Sequence, residues 1–401
     1  MDKKEQAEII LQQLKEGQNA IEQKQYEYAI ACFQKIIAVL PKYVTPYVDI
    51  GIAYTFLGNF RAAINFYQKA AKLEPNNAAI YYAIGEVYLL SKDHRTAMHY
   101  YGKTVKLNPK IVEVWETMGN LSQVEGRYRD AVRYFKKAVE LAPENITLIN
   151  KLGLAYSDIE EDEEAIQCLE KSLKIKPDDV EATYLLGNIY RLLENYKEAL
   201  RYHKKAVNLD PENLLANFEL GFTYMDLRNF EDALRYFQKV LDLNPNYTLA
   251  SLTMGATYLA MKKDEEAIRY FEKVIAVEPE NIQAVKSIAF SYYALGDYQK
   301  AIYYYEKAAE IEPNNSSIYS SLGNTYYKIK NYEEAIRYCH FAIGLDDKNT
   351  EAYVTLSKTF GDLEDRKQQV AFSIIAAQLG EKSQKRWLEE NGFVLEDILN
   401  T

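Results

Sequence analysis

Residues 47–75 read YVDIGIAYTFLGNFRAAINFYQKAAKLEP, and variants of this stretch recur along the chain every 34 residues. Proline marks the period most clearly, since nine of the ten prolines stand 34 residues apart. They are Pro41, Pro75, Pro109, Pro143, Pro177, Pro211, Pro245, Pro279 and Pro313. A fixed period of this length, without insertions, is typical of a helix–turn–helix unit stacked on copies of itself. The sequence therefore predicts an all-α solenoid rather than a set of globular domains.

Alanine and glycine follow the same period. With the proline at place 32 of each repeat, ten repeats cover residues 10–349, alanine stands at place 20 in all ten, and glycine stands at place 8 in all but one. Glycine inside a helix costs roughly 1 kcal/mol relative to alanine, so its recurrence indicates a close packing contact. We expect each glycine of a first helix to meet the alanine of the second helix. Aromatic residues at places 11 and 24 would fill the space around that contact.

This pattern resembles the tetratricopeptide repeat family, whose signature is a bulky residue at place 4, then leucine-glycine, tyrosine, alanine, an aromatic residue, alanine and proline. The resemblance covers residues 10–349. It implies a right-handed superhelical solenoid of antiparallel helix pairs, with the first helices lining a concave side. Because the signature residues are packing residues, they specify the fold and leave the ligand open.

The chain divides into four segments on this interpretation. Residues 1–9 form a lead-in, residues 10–349 hold the ten repeats, residues 350–380 form a degenerate eleventh repeat, and residues 381–401 follow it. Terminal units of a solenoid must cover an otherwise exposed apolar face, so the last segment is expected to be a capping helix. The alternative is a tethered tail that docks in the groove and competes with a ligand. The apolar residues of this segment are Trp387, Leu388, Phe393, Val394, Leu395, Ile398 and Leu399.

Composition narrows the classes of partner. The formal net charge is −10, and the calculated pI is about 5.2, which does not suit nucleic acid or an anionic lipid surface. Three widely spaced cysteines suggest buried thiols in a reducing compartment rather than a disulfide framework. The N-terminus has no signal-peptide core and no apolar run approaches the length of a membrane span, so we expect a cytoplasmic protein without membrane insertion.

The sequence offers no constellation of catalytic residues. His94 and His99 stand five residues apart, the wrong spacing for two zinc ligands on one helix face, and no cysteine accompanies them; His203 occupies place 24, a packing position. The periodic glycines are used in helix packing, which leaves no phosphate-binding loop. We therefore expect a protein that is not an enzyme and that binds neither metal nor cofactor.

The family resemblance assigns places 2, 5, 9, 12 and 13 of the first helices to the concave groove. In repeats seven to nine these places form an apolar region that holds Leu215, Phe218, Phe222, Met225, Leu249, Leu252, Leu259, Phe290 and Tyr293, and Tyr327 follows in repeat ten. In repeats four to six they are polar and partly acidic; they hold Glu113, Glu116, Asn120, Asn150, Asp158, Glu181, Asn188 and Arg191. We expect the groove to bind segments of other proteins, with apolar side chains in the first region and a polar or basic part in the second.

Several alternatives stay open at this point. Places 5 and 9 could pack against adjacent first helices, or the apolar region could be a face for self-association. The chain could also be a sensor whose superhelix closes on a peptide, or the targeting subunit of a separate enzyme. Relatives that grip chaperone tails need asparagine at place 9 after lysine at place 5; here Phe290 follows Lys286, so that ligand is not expected.

Overall fold

The computed structural model describes residues 3–393, in which the regular structure consists of 23 α-helices. They fall into two compact units, Met1–Leu193 and Glu194–Thr401, which we call the N-terminal and C-terminal units. The helices of the N-terminal unit are α1 (Lys3–Glu22), α2 (Tyr26–Val39), α3 (Thr45–Phe56), α4 (Phe60–Leu73), α5 (Ala78–Leu90), α6 (His94–Leu107), α7 (Val112–Val124), α8 (Tyr128–Leu141), α9 (Ile146–Ser157), α10 (Asp162–Ile175) and α11 (Val180–Leu192). Those of the C-terminal unit are α12 (Tyr196–Leu209), α13 (Leu214–Asp226), α14 (Phe230–Leu243), α15 (Thr248–Ala260), α16 (Asp264–Val277), α17 (Ile282–Ala294), α18 (Tyr298–Ile311), α19 (Ser316–Lys328), α20 (Tyr332–Leu345), α21 (Thr350–Asp362), α22 (Arg366–Gln378) and α23 (Lys382–Glu390).

The helices follow the 34-residue period throughout. Each second helix, from α2 to α20, begins at place 17 and ends at place 30, two residues before the place of the repeating proline. Asparagine and aspartate cap many of the helices; the Oδ1 atom of Asn77, for example, accepts a hydrogen bond from the backbone N–H of Ala79 at 3.1 Å. The predicted all-α fold of tandem helix pairs is confirmed, and proline and the caps explain why each helix ends where it does.

The glycine at place 8 packs differently from the expectation. Its Cα faces the side chain at place 24 of the second helix, and a Cβ on Gly85 would lie 2.7 Å from the ring of Tyr101. Gly51, Gly119 and Gly255 face Tyr67, Phe135 and Phe271 in the same way. The alanine at place 20 is fully buried in all ten repeats, and at Gly153, Gly221 and Gly323 its backbone oxygen lies 3.2–3.4 Å from the built Cβ. The glycine therefore makes room for a ring, and the alanine lets the helices approach beside it.

The tyrosine at place 11 has its own partner at place 23. The two rings stack with centroids 5.4–5.8 Å apart. The pairs are Tyr54–Phe66, Tyr88–Tyr100, Tyr224–Tyr236, Tyr258–Tyr270, Tyr292–Tyr304 and Tyr326–Tyr338. The adjacent places 23 and 24 thus have different roles: the ring at place 24 covers the glycine, and the ring at place 23 stacks on the tyrosine.

The turn within each repeat contains a residue with left-handed backbone at place 15. Glycine supplies it at Gly58, Gly126 and Gly296. Elsewhere a side chain adopts φ between 56° and 62°; these residues are Lys24, Lys92, Glu160, Glu194, Arg228, Lys262, Lys330 and Glu364. Left-handed backbone costs a residue with a Cβ roughly 1–2 kcal/mol, so eight of these turns carry local strain.

The C-terminal segments fold as a further helix pair followed by α23. In the pair α21–α22, the hydroxyls of Ser357 and Ser373 lie 2.7 Å apart where other repeats place glycine against a ring. Helix α23 packs on α22 and buries Leu388 completely, while Arg366 lies over the ring of Trp387. These contacts suit a cap. The remaining apolar residues of the predicted tail, Val394, Leu395, Ile398 and Leu399, lie outside the described residues.

Candidate functional site

The candidate site is the surface formed by places 2, 5, 9, 12 and 13 of the first helices, which we call the first-helix face. Side chains of consecutive first helices touch across it within each unit. In the N-terminal unit, Lys151 Nζ lies 2.6 Å from Glu116 Oε1, and Gln123 Nε2 donates to Asp158 Oδ2 at 2.8 Å. In the C-terminal unit, Ser320 Oγ donates to Glu351 Oε2 at 2.8 Å. First-helix side chains are therefore in direct contact between α7 and α9 and between α19 and α21.

The first-helix face of the N-terminal unit is rich in carboxylates. Helices α3, α5, α7, α9 and α11 carry five acidic residues, Asp49, Glu86, Glu113, Glu116 and Glu181, and two basic residues, Lys151 and Arg191. The ammonium of Lys151 is already paired with Glu116. Glu113 and Glu181 are exposed, and Asn120, Asn188 and Arg191 are half-buried. The net charge of this face favours basic groups on a partner.

Two acidic side chains of the first helices, Asp49 at place 6 and Glu86 at place 9, are held in unusual surroundings. Burial raises the pKa of Asp49 to about 6, and its Oδ2 atom accepts no hydrogen bond from any described residue. Glu86 Oε1 accepts a hydrogen bond at 2.6 Å from the hydroxyl of Tyr101, the ring that covers Gly85. Burial, together with this bond to a carboxylate, raises the pKa of Tyr101. The face is thus tied directly to the packing of the repeat beneath it.

On α15, α17 and α19 the first-helix face of the C-terminal unit is apolar and nearly uncharged, whereas α13 adds Asp226 and α21 adds Glu351, Lys358 and Asp362. Helices α15, α17 and α19 contain no acidic residue and two lysines, Lys286 and Lys328. Leu215, Leu249 and Phe290 are 43%, 47% and 54% exposed. The other accessible residues of the predicted set are half-buried; they are Phe222, Met225, Leu252, Leu259, Tyr293 and Tyr327. Apolar area of this extent on neighbouring helices is a feature of interaction surfaces.

Two predicted groove residues are buried, which corrects the predicted set. Phe218 is 5% exposed because its ring packs against Phe237 and Tyr247, with centroids 5.4 and 5.7 Å away. Asn150 is 1% exposed, and its Nδ2 atom donates to the carboxylates of Asp179 and Glu181 at 2.9 and 3.2 Å. Both stand at place 5, so in these two repeats place 5 serves packing between neighbours. The binding role of the other residues stays a prediction.

Sequence reasoning missed a row of exposed apolar residues in the N-terminal unit. Phe56, Leu90, Val124 and Leu192 all stand at place 13, the C-terminal end of their first helices, and each is more than half exposed. The signal was present in the sequence, since place 13 is apolar in these four repeats. The N-terminal face therefore combines carboxylates with an apolar edge.

Residues considered for chemistry have structural roles. His203 is fully buried, and its Nδ1 atom lies 2.7 Å from Thr223 Oγ1, whose hydroxyl donates to the backbone oxygen of Glu219. Cys32 and Cys339 are buried, and burial raises the pKa of Cys339 to about 12, which disfavours the reactive thiolate. Among residues 3–393, no His, Cys, Asp and Glu side chains cluster to hold a metal ion. None of the helices in that range is long and apolar enough to cross a membrane.

Solved structures similar to this chain include several repeat proteins. MamA is 25% identical over 42% of this chain and 92% of that chain, with a TM-score of 0.35. A chain of the APC/C hetero-tetramer Cut9–Hcn1 is 13% identical over 93% of this chain and 94% of that chain, with a TM-score of 0.46. The C-terminal part of a TPR repeat-containing protein from Cytophaga hutchinsonii is 17% identical over 59% and 97%, with a TM-score of 0.49. A search of curated proteins found no match.

Family models match successive parts of the sequence. The model of the cilia and flagella-associated protein 70 C-terminal domain, a TPR model, matches residues 5–217, which is more than half of the chain. The cytochrome c-type biogenesis protein H TPR domain matches residues 208–319, and a tetratricopeptide repeat model matches residues 292–358. With the helix pairs, the buried alanines and the ring-covered glycines described above, these matches show that the chain belongs to the tetratricopeptide repeat family.

Proposed function

We propose that this chain is a non-catalytic scaffold that holds segments of other proteins against its first-helix face. Membership of the tetratricopeptide repeat family supports a protein-interaction role in general. The observation that carries the proposal is the exposed apolar surface of Leu215, Leu249 and Phe290, on three first helices of the C-terminal unit. Large apolar patches that face solvent are a mark of partner binding.

The two units would take segments of different chemistry. The apolar face of the C-terminal unit suits aliphatic and aromatic side chains, and the carboxylates of the N-terminal unit suit lysine and arginine. The three free cysteines fit a reducing compartment, so we place the protein in the cytoplasm.

Phe290 provides the sharpest test because it is the most exposed aromatic residue of the predicted set. Peptides would be selected with the full chain from a random display library, and their affinities measured by fluorescence anisotropy. A central anchor contributes about 2 kcal/mol, so Phe290→Ala should weaken the C-terminal class of peptides by roughly thirtyfold. The control is Tyr303→Ala, since Tyr303 is 61% exposed on α18 of the same repeat, outside the first-helix face.

Two results would count against the proposal. One is a failure of the full chain to enrich any peptide. The other is an equal loss of affinity in the Phe290→Ala and Tyr303→Ala variants, which would indicate that binding does not use the first-helix face.

A further inference from the structure

The N-terminal unit contains a cavity of about 240 Å³ between α9 and α11. Its walls are apolar; they are formed by Leu154, Leu169, Leu185, Ile189 and Leu192. Its polar lining consists of Ser157, Asp158, Asn188 and Arg191. Leu154 and Leu192 are exposed, whereas Leu169 and Ile189 are buried, so the cavity opens at the first-helix face and its floor rests on buried side chains of the fifth and sixth repeats. We call it the α9–α11 cavity.

The cavity coincides with two departures from the repeat pattern. Place 24 holds Leu169 where Tyr101 and Phe135 supply rings in the two preceding repeats. Leu169 approaches a Cβ built on Gly153 only to 3.0 Å, compared with 2.5 Å for the ring of Phe135 at Gly119. Place 12 holds Ser157, whereas other repeats carry larger side chains such as Leu89 and Leu259. The absence of a ring at Leu169 and the small side chain of Ser157 together account for the cavity.

The size and lining of the cavity select an apolar occupant. An apolar cavity of about 150 Å³ stays dry and accepts benzene, so a larger one has room for a bulky side chain. Leucine and isoleucine walls offer such a side chain dispersion contacts and no hydrogen-bond partners.

The charges around the cavity favour a basic segment. Asp158 belongs to the lining, and Glu116 and Glu181 lie on the helices α7 and α11 of the same face. Asn150 connects Asp179 and Glu181 beneath the surface and so fixes two carboxylates beside α9. Carboxylates outnumber cations on this face, and lysine or arginine next to the inserted side chain would therefore be stabilised.

We propose that the α9–α11 cavity binds one bulky apolar side chain, of the leucine, methionine or phenylalanine class, presented by a basic segment of a partner protein. This inference rests on the scaffold function proposed above and names the ligand chemistry of the N-terminal unit. The side chain enters past Ser157 and contacts the accessible Leu154, Leu185 and Leu192, while flanking lysine or arginine residues face the carboxylates of α7 and α11.

Two substitutions narrow the cavity with side chains that other repeats already carry. Ser157→Leu fills the mouth, and Leu169→Phe restores the ring beneath it. The control is Gln167→Leu, because Gln167 is exposed on α10 of the same repeat and does not line the cavity. The full chain and its three variants would select peptides from a random display library, and circular dichroism with thermal unfolding would establish that each variant is folded.

We expect the full chain to enrich basic peptides with one bulky apolar residue. Ser157→Leu and Leu169→Phe should each weaken these peptides by at least roughly tenfold, as expected for loss of a buried side chain, and Gln167→Leu should leave them unchanged. Alanine in place of the apolar peptide residue should weaken binding to the full chain by a similar factor. In the Ser157→Leu variant that same peptide change should have little further effect.

The outcomes separate the cavity from the general function. Selected peptides that bind folded Ser157→Leu and Leu169→Phe as tightly as the unchanged chain, or that lack a basic flank, overturn the cavity proposal and leave the scaffold function standing. Absence of any enriched peptide overturns both.

Discussion

Two neighbouring substitutions in one helix pair should change stability in opposite directions. Gly85 in α5 faces the ring of Tyr101, and Gly102 in α6 follows that tyrosine in the sequence but has no atom within 4 Å of a built Cβ. Both changes to alanine remove a helical glycine. Their difference therefore isolates the cost of the close contact from the gain in helix propensity.

The magnitude follows from the contacts of Tyr101. A methyl group on Gly85 would lie 2.7 Å from the ring, and the ring cannot slide freely because its hydroxyl donates to Glu86 at 2.6 Å. Overpacking costs about 1–3 kcal/mol, and disturbing a hydrogen bond to a carboxylate adds about 1.5 kcal/mol. Replacing glycine returns about 1 kcal/mol of helix propensity, so Gly85→Ala should destabilise by about 2 kcal/mol. Gly102→Ala should instead stabilise by about 0.5–1 kcal/mol.

Urea denaturation followed by circular dichroism, with hydrogen exchange at α5 and α6, would measure both changes. The ninth repeat indicates that the cost of alanine at place 8 is limited, because Ala289 stands there naturally, with Tyr305 at place 24. Tyr305 is 6% exposed, whereas Tyr101 is fully buried. A repeat can therefore adapt to alanine by moving its ring outward. Stability of Gly85→Ala equal to or above that of Gly102→Ala would refute the view that these glycines exist to admit a ring.

Three further predictions concern a turn, a buried acid and the C-terminal end. Lys262→Gly should raise the free energy of unfolding, measured in urea, by about 0.5–1 kcal/mol, because φ at Lys262 is 58°, whereas Lys263→Gly, at φ −109°, should not. Burial raises the pKa of Asp49 to about 6, above its unfolded value, so the folded state binds the proton more tightly and its stability falls as pH rises from about 4 to above 6. Asp49→Asn should remove that fall in stability. Parallel stability–pH profiles for the unchanged protein and the variant would contradict this prediction. Leu388 is fully buried in α23, so Leu388→Ala should lower the free energy of unfolding by about 2–4 kcal/mol and speed hydrogen exchange in α22. Unchanged exchange in α22 would show that α23 does not cap the repeats.

The repeat register could be predicted from sequence, and the partners of its side chains could not. The 34-residue period and the position of the proline predict where each helix pair begins and ends. The invariant alanine is buried in the contact between the two helices, as expected. Places 23 and 24 are both commonly aromatic and adjacent on the helix, and which one turns toward the glycine depends on how the two helices cross. That crossing is set by packing in three dimensions, so the sequence places Tyr101 near Gly85 but does not show that its ring, rather than the alanine, covers the glycine.

The same limit applies to the candidate site. The pattern named the places that form the first-helix face, but burial at one place varies between repeats. Place 5 holds half-buried side chains in some repeats and buried ones in others, as the packing of Phe218 on Phe237 shows. A void is harder still to predict, because the α9–α11 cavity arises from two absences, at Ser157 and Leu169, that are unremarkable one at a time.

The regular positions of a repeat protein explain its fold, and its irregular positions carry what distinguishes one ligand from another. Glycine, alanine and the paired rings use places 8, 11, 20, 23 and 24 in nearly every repeat, so they give each repeat the same frame. Differences between the two units must then lie at the first-helix face, where carboxylates dominate one and uncharged apolar side chains the other. Salt screens charge attraction but does not weaken the burial of apolar surface. Binding to the carboxylate-rich face should therefore depend on salt concentration, whereas binding to the apolar face should not. A scaffold with two such faces can hold two chemically distinct segments at once, which one uniform surface could not tell apart.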